Sequence, residues 1–274
     1  MKAIIKSTAV TLLVLSAQAA FAQNTIDSCG IEITSSGTYL VTQDLTNTSG
    51  NCISILNASD VTLDCQGYRL TGTNSGNGIW VDYSSKRIVI TNCELYSFEN
   101  GMYYTGHGGV VEYNQLVDNT RGIRLSHGDD NEVRWNTGTD NNLGMYIDLS
   151  NNNDIYENSF QRSENGVYCH RGAGNYFIGN ELNLNNARGI WFYATCNNNF
   201  IWHNTANLNA TGIYVQSQTN YGTSSGNHFY KNVLNRNDVR GLYESAGDAT
   251  QNTYEDNVCK NNGTESSNVT WACK

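Results

Sequence analysis

The sequence predicts an all-β solenoid built from one repeated coil, and three observations predict it. Tetrads beginning with glycine recur: GIWV at Gly78, GMYY at Gly101, GIRL at Gly122, GMYI at Gly144, GVYC at Gly166, GIWF at Gly189, GIYV at Gly212 and GLYE at Gly241. Their spacings are 23, 21, 22, 22, 23, 23 and 29 residues. Asparagine recurs in phase with them, in three columns. One runs Asn92, Asn114, Asn136, Asn158, Asn180, Asn204, Asn232, Asn257; one lies five residues earlier, from Asn131 to Asn252; one lies five residues later, from Asn119 to Asn262, with Ser163 as its exception. Finally, 274 residues with 40 asparagines and 26 glycines contain no proline.

A coil this short cannot hold two helices and a turn, and the apolar residues alternate with period two rather than 3.6. Each coil therefore reads as three short strands joined by corners. Asparagine and glycine tolerate left-handed corner backbones, and one asparagine above another can bond amide to amide from coil to coil. Proline would delete a ladder donor in every coil, so its absence fits. Leucine-rich repeats share the length, but their consensus is missing.

Taken in order, residues 1–22 read as an export signal. Lys2 and Lys6 precede the apolar run Ala9 to Ala20, and Ala20-Phe21-Ala22 is a cleavage site that leaves Gln23 first. The expected address is the periplasm or the extracellular space. No second apolar run of membrane length follows, so no membrane span is expected. Losing Lys2 and Lys6 takes the formal charge from −9 to −11, which argues against nucleic acid as a partner. The chain is expected to act as a monomer. All eight cysteines follow the cleavage site and none sits in a C-x-x-C pair, which reads as disulfides rather than zinc. Residues 23–76 form the N-terminal cap and first coils, because an open first coil would expose apolar side chains and strand edges. Residues 77–262 are the repeats and residues 263–274 a C-terminal cap. The stretch Ser217 to Gly226 inserts roughly six residues and would decorate one face.

The segment from Ser35 to Leu45, followed by Val61-Thr62-Leu63-Asp64-Cys65-Gln66-Gly67, resembles the entry coil of right-handed parallel β-helix proteins of the pectin-lyase-like superfamily. More narrowly, the chain resembles the bacterial β-helix repeat group that includes the NosD-like proteins. The resemblance spans residues 28–262 and implies a single right-handed parallel β-helix of about nine or ten coils. Cys29–Cys52 would pin the entry cap. Asp64 and Asn92 stand at equivalent repeat positions, which stacks Cys65 on Cys93. Cys169–Cys196 would join neighbouring coils, and Cys259–Cys273 would close the C-terminal end. The superfamily's catalytic motifs are not matched: Gly106-His107-Gly108 precedes Asp129-Asp130, with no N-T-D or R-I-K, and the proline-containing epimerase and pectate lyase motifs are impossible here. A NosD-like copper role needs a His or Met cluster, and His107 and His127 on adjacent coils have few soft companions. No cofactor and no metal is expected; Ca²⁺ at Asp129, Asp130 and the Asn151–Asn153 turn is the alternative to a solvated turn.

Function must lie on the outward faces. The second residue after each glycine points out. That column is Trp80, Tyr103, Arg124, Tyr146, Tyr168, Trp191, Tyr214 and Tyr243. Its aromatics are either bracing for the sheet or a platform for a polysaccharide or surface glycan, whose C–H faces pack on rings. Tyr156, Trp202 and Tyr230 add aromatics on another face. Two positions further along runs Asp82, Thr105, Ser126, Asp148, His170, Tyr193, Gln216 and Ser245. Tyr146, Asp148, His170 and Arg124 form the densest acid–base group, suited to the proton abstraction of a polysaccharide lyase or epimerase rather than to two-carboxylate hydrolysis. The expectation is an exported glycan-contacting protein; the alternative is a non-catalytic structural or adhesive surface protein. The negative charge argues against an anionic polymer.

Overall fold

The structure is a computed structural model describing residues 24–217, 222–245, 251–269 and 272–274, with Glu265 and Ser266 described in backbone only. The expected signal segment and part of the Ser217–Gly226 insertion lie outside the described residues. All regular structure described is β-strand. The strands form three parallel sheets of 11, 6 and 11 members. Sheet 1 runs from Asn24–Ile26 to Thr253–Glu255, sheet 2 from Leu45–Thr46 to Ser159–Gln161, and sheet 3 from Ile31–Ile33 to Glu265–Ser267. Within the repeats the chain visits sheets 1, 2 and 3 in turn, so the solenoid is a three-sided prism. Past Ser159–Gln161 the second side continues as single bridges through Glu181, Thr205, Val233 and Val258.

The tetrads explain sheet 3. The residue after each glycine (Ile79, Met102, Ile123, Met145, Val167, Ile190, Ile213, Leu242) is fully buried in one column, each such side chain contributing about 1.5–3 kcal/mol over its exposed state. Glycine begins the tetrad because successive coils meet there backbone to backbone. A Cβ on Gly144 would lie 2.6 Å from the carbonyl oxygen of Gly166, and one on Gly122 would lie 2.5 Å from that of Gly144.

The three asparagine columns are three buried ladders. Asn136 Oδ1 accepts from the backbone N–H and the Nδ2 of Asn114 at 3.1 and 3.0 Å, while Asn136 Nδ2 donates to Val111 O at 2.9 Å and to Asn158 Oδ1 at 2.9 Å. The pattern repeats through Asn153 and Asn175 and through Asn119 and Asn141. Ser163 keeps its ladder going with a hydroxyl, accepting from Asn141 N at 3.3 Å. The ladder asparagines are not themselves the left-handed residues that the composition suggests. The residue before each one has positive φ instead: Tyr113, Trp135, Glu157, Asp130, Asn152, Asp140, Leu184 and Leu208 are examples. Turning the chain one residue early aims the asparagine inward, where its amide meets the next coil. Asn92 departs from its column for the same reason. It is left-handed at φ 54°, and Cys93 takes the ladder place, donating its N–H to Asn114 Oδ1 across a 21-residue coil.

All four expected disulfides are present: Cys29–Cys52, Cys65–Cys93, Cys169–Cys196 and Cys259–Cys273, with Cα separations of 4.2, 4.7, 6.2 and 5.4 Å. Asp64 pairs with Thr91 rather than Asn92, yet Cys65 and Cys93 still stack. At the inward fourth position of the eight tetrads, two hold polar side chains. Tyr104 is buried with its hydroxyl donating to Ile88 O at 3.2 Å. Glu244 is buried and accepts from Asn252 Nδ2 at 3.0 Å and from the Tyr254 hydroxyl.

Candidate functional site

Sheet 3 carries the outward column in unbroken register. Trp80 pairs with Tyr103, then Arg124, Tyr146, Tyr168, Trp191, Tyr214 and Tyr243. The β-strand repeat distance, shorter than a ring is wide, forces neighbouring rings to stack. Tyr146 and Tyr168 stack at 5.2 Å and 11°, Tyr168 and Trp191 at 4.4 Å and 26°, and Trp191 and Tyr214 at 6.4 Å and 5°. The ring faces in this run are therefore turned toward one another along the solenoid axis. The stack turns ring edges and tyrosine hydroxyls, rather than a continuous sheet of ring faces, away from the core.

Arginines complete the surface. Arg121, Arg188 and Arg240 share the column that precedes the glycines. The Arg188 guanidinium lies 4.2 Å from the Trp191 ring and 4.9 Å from Tyr214, and that of Arg240 lies 4.2 Å from Tyr243. Arg124 covers Tyr103 at 4.5 Å and faces Tyr146 at 5.7 Å. Such contacts strengthen where water is excluded. Arg121 pairs with Glu99 at 3.2 Å; among the described residues neither Arg124 nor Arg188 has a carboxylate within ion-pair distance, and Arg124 Nε has no hydrogen-bond partner. A chain acidic on average thus gathers cations on one face. The signal for them was the R-G dipeptide recurring in repeat phase at 121, 188 and 240, which the reading of outward columns passed over.

The second outward row also pairs as expected, Ser126 to Asp148 to His170 to Tyr193 to Gln216. It is less solvated than an outward row suggests, since Asp148 is 9% exposed and Ser126 is 2% exposed. Asp148 Oδ1 lies 3.1 Å from His170 Nδ1, and the Tyr146 hydroxyl lies 3.3 Å from the same nitrogen. The structure thus brings together Tyr146, Asp148 and His170. Arg124 does not join them; its guanidinium sits over the rings, and Arg171 Nη2 takes Asp148 Oδ1 at 3.1 Å instead. The substitution follows from a left-handed corner at Arg171, φ 60°, which folds its side chain back over Asp148. Burial, reinforced by Arg171 and opposed by Asp148, holds the His170 pKa below its ordinary value. Burial, and then the Asp148 charge, raises the Tyr146 hydroxyl.

Elsewhere, Asp82 is engaged locally, accepting from Asn57 N at 3.0 Å and from Ser85 Oγ at 2.5 Å. A cleft of about 660 Å³ lies at the corner between sheets 3 and 1, lined by Tyr83, Lys86, Arg87, His107, Asp129 and Asp130. There Asp129 Oδ1 accepts from Asn151 N at 2.7 Å and Arg87 pairs with Asp60 at 2.7 Å, so its charges are largely met inside the chain. Tyr156, Trp202 and Tyr230 do point out, from sheet 1, in one column with Arg134 and Ile178.

The model for the family described as "Periplasmic copper-binding protein (NosD)" matches residues 16–188, and that for "Right handed beta helix region" matches residues 127–274. Among curated proteins none matches the sequence. Solved structures share the fold at low identity. The A-module of the Azotobacter vinelandii mannuronan C-5 epimerase AlgE4 is 12% identical, with a TM-score of 0.67 over 90% of this chain and 86% of that one. The periplasmic alginate epimerase AlgG is 16% identical, with a TM-score of 0.57 over 85% and 74%. The Dettilon tailspike protein is 14% identical, with a TM-score of 0.58 over 89% and 60%.

The first family's description implies copper. Copper is held by thiolate, thioether and imidazole groups converging on one point. Here all eight cysteines are in disulfides, and Met102 and Met145 are sealed in the core. Among the described residues no three His, Cys, Asp or Glu side chains converge. The residues described do not fit a copper site, and the disulfides fit an exported protein. On the two matches together, the chain belongs to the NosD family through residues 16–188 and carries the right-handed β-helix region through residues 127–274.

Proposed function

We propose that this is an exported β-helix protein that binds an acidic polysaccharide along sheet 3 and moves a proton on it at Tyr146, Asp148 and His170. One observation carries the reading: an imidazole oriented by a buried carboxylate sits beside tyrosine hydroxyls and beside Arg124 and Arg188, which have no carboxylate within ion-pair distance among the described residues. With the Nδ1–H of His170 donated to Asp148, Nε2 is left as the basic nitrogen, the arrangement that serves general-base chemistry. His170 Nε2 removes the proton next to a uronate carboxylate, while Tyr146, kept protonated by burial, supplies one. Returning that proton to the opposite face of the same carbon gives an epimer. Passing it to the departing glycosidic oxygen breaks the chain and leaves an unsaturated sugar. Arg124 and Arg188 neutralise carboxylates along the polymer. The scaffold shared with proteins named as alginate and mannuronan epimerases supports the substrate class.

The test is binding and turnover on purified acidic and neutral polysaccharides, read by calorimetry, by ultraviolet absorbance of an unsaturated product and by proton exchange at the sugar. Saturable binding to acidic chains, weakened in Arg188→Ala and Tyr168→Ala, is expected, with turnover lost in His170→Ala and Asp148→Asn. Binding unchanged in both column variants overturns the site. A second reading, a non-catalytic structural or adhesive surface protein, is favoured by the ring-to-ring stacking, which braces the sheet whether or not a ligand binds. It predicts lowered stability in Tyr168→Ala and no glycan binding in either protein.

A further inference from the structure

The corner between sheets 1 and 2, on the edge of the prism opposite sheet 3, holds a cleft of about 440 Å³. Its shape follows from one corner column, Gln66, Asn92, Tyr113, Trp135 and Glu157, all at positive φ. Most residues in such a position are small or polar, because a left-handed backbone costs other residues about 1–2 kcal/mol. An aromatic pair here bears that cost in the open, and Tyr113 is 54% exposed.

The pair is also held still. Tyr113 stacks on Trp135 at 5.0 Å and 24°. Trp135 donates Nε1–H to Glu157 at 2.5 Å, and the guanidinium of Arg134 covers it at 4.6 Å. Arg134 is in turn fixed by Glu112, Glu132 and Tyr156 at 2.8, 2.6 and 2.6 Å. Trp135 lies one coil beyond Tyr113 and occupies that face of its ring. The opposite face looks down the column toward Asn92 and Gln66, where the cleft opens. Tyr113 thus keeps a free ring face, which the stacked run on sheet 3 does not.

The polar lining says what fits against that face. Gln66, Asn92, Glu94 and Gln115 surround it. Gln66 and Asn92 spend their Nδ2 or Nε2 on Val41 O and Asp64 Oδ1, leaving carbonyl oxygens to accept. Gln115 has an exposed amide that both donates and accepts. Glu94 is already paired with Arg69 at 3.2 Å. No cation lines the cleft, which disfavours an anionic ligand. Hydroxyls that donate and accept, carried on a ring with an apolar C–H face, match amides around an aromatic wall.

We propose that this cleft is a second carbohydrate site, taking a neutral sugar unit stacked on Tyr113 and hydrogen-bonded by Gln66, Asn92 and Gln115. It does not depend on the reading of sheet 3, whose ligand is acidic and lies on the other side of the prism. Titrating the protein with maltohexaose, cellohexaose, mannohexaose and galactohexaose tests it, read by calorimetry and by the fluorescence of Trp135 against a Trp135→Phe control. One of these oligomers should bind saturably. Tyr113→Asn, which keeps a residue suited to the corner as at Asn92, should weaken it about tenfold or more, the loss of one base-like stacking contact, and Gln115→Ala should weaken it less. Tyr168→Ala on sheet 3 should leave it unchanged. An unfolding temperature of Tyr113→Asn no lower than that of the parent confirms that the loss is local, since asparagine suits the left-handed corner. No binding by any neutral oligomer, binding that survives Tyr113→Asn, or preferential binding of adenosine over every sugar overturns the proposal.

Discussion

Asp148 Oδ1 and His170 Nδ1 face each other at 3.1 Å across one coil boundary, and the same oxygen takes Arg171 Nη2 at 3.1 Å. A single carboxylate oxygen therefore orients a base and holds a cation. The His170 pKa is lowered first by burial and then by Arg171. A histidine depressed in the folded chain is neutral over a wider range, so the acid limb of a pH–rate profile should lie below the ordinary 6.5. The folded state binds fewer protons between the lowered value and 6.5, so stability from this group is full above 6.5 and falls as pH drops through the folded pKa. Removing the cation in Arg171→Gln should move the His170 titration up. NMR titration of the imidazole measures it, and a downward or absent movement rejects the assignment of Arg171.

The ladders predict where the fold is most easily broken. Asn158→Ala deprives Asn136 N of its acceptor at 3.1 Å and Asn136 Nδ2 of its acceptor at 2.9 Å, and it removes a side-chain donor from Val133 O and Tyr156 O. A buried group left unpaired costs about 1–3 kcal/mol. Asn141→Ser should cost less, because Ser163 already shows that a hydroxyl carries that ladder. Denaturant unfolding of the two variants checks the order; equal losses would show that a hydroxyl does not stand in for the ladder amide, and no loss in either would show that the ladders do not bear on stability.

Period, strand count per coil and inward columns were legible because each is written eight times over, and repetition averages out local accidents. The disulfides were legible once the coils were in register. Two things were not. Which residue of the corner is left-handed depends on where the chain turns, and the sequence shows the buried asparagine more plainly than the varied residue before it, from Tyr113 to Leu208. The packing of side chains on one face was hidden too: Arg124 and Arg171 both lie near Asp148 in sequence register, and only rotamer and corner geometry assign the cation to Arg171.

Leu184 and Leu208 stand at left-handed corners with φ 60° and 58° while 45% and 47% exposed. Leucine gains little from burial there and bears the steric cost of the backbone. Leu184→Asn and Leu208→Asn should each stabilise the protein by about 0.5–1 kcal/mol. Leu184→Ile, with a branched Cβ, should destabilise it. Thermal unfolding measures both directions, and stabilisation by Ile with loss on Asn would contradict the corner assignment.

Cys169 lies between Tyr168 and His170 in the strand Asn165–His170, buried and bonded to Cys196 on the next coil. The bond closes a loop of 27 residues and ties the site strand to the corner beyond Tyr193. Cutting a native disulfide of this loop size costs about 2–4 kcal/mol, chiefly by freeing the unfolded chain. The double variant Cys169→Ala/Cys196→Ala should therefore unfold at a lower temperature. The small buried alanines leave a void directly beneath the Asp148–His170 contact, so the His170 titration should also shift toward the ordinary histidine value. Cys29→Ala/Cys52→Ala, at the entry end, should lower stability without moving that titration. An unchanged unfolding temperature in the Cys169→Ala/Cys196→Ala variant would show that the ladders alone hold the site strand in place.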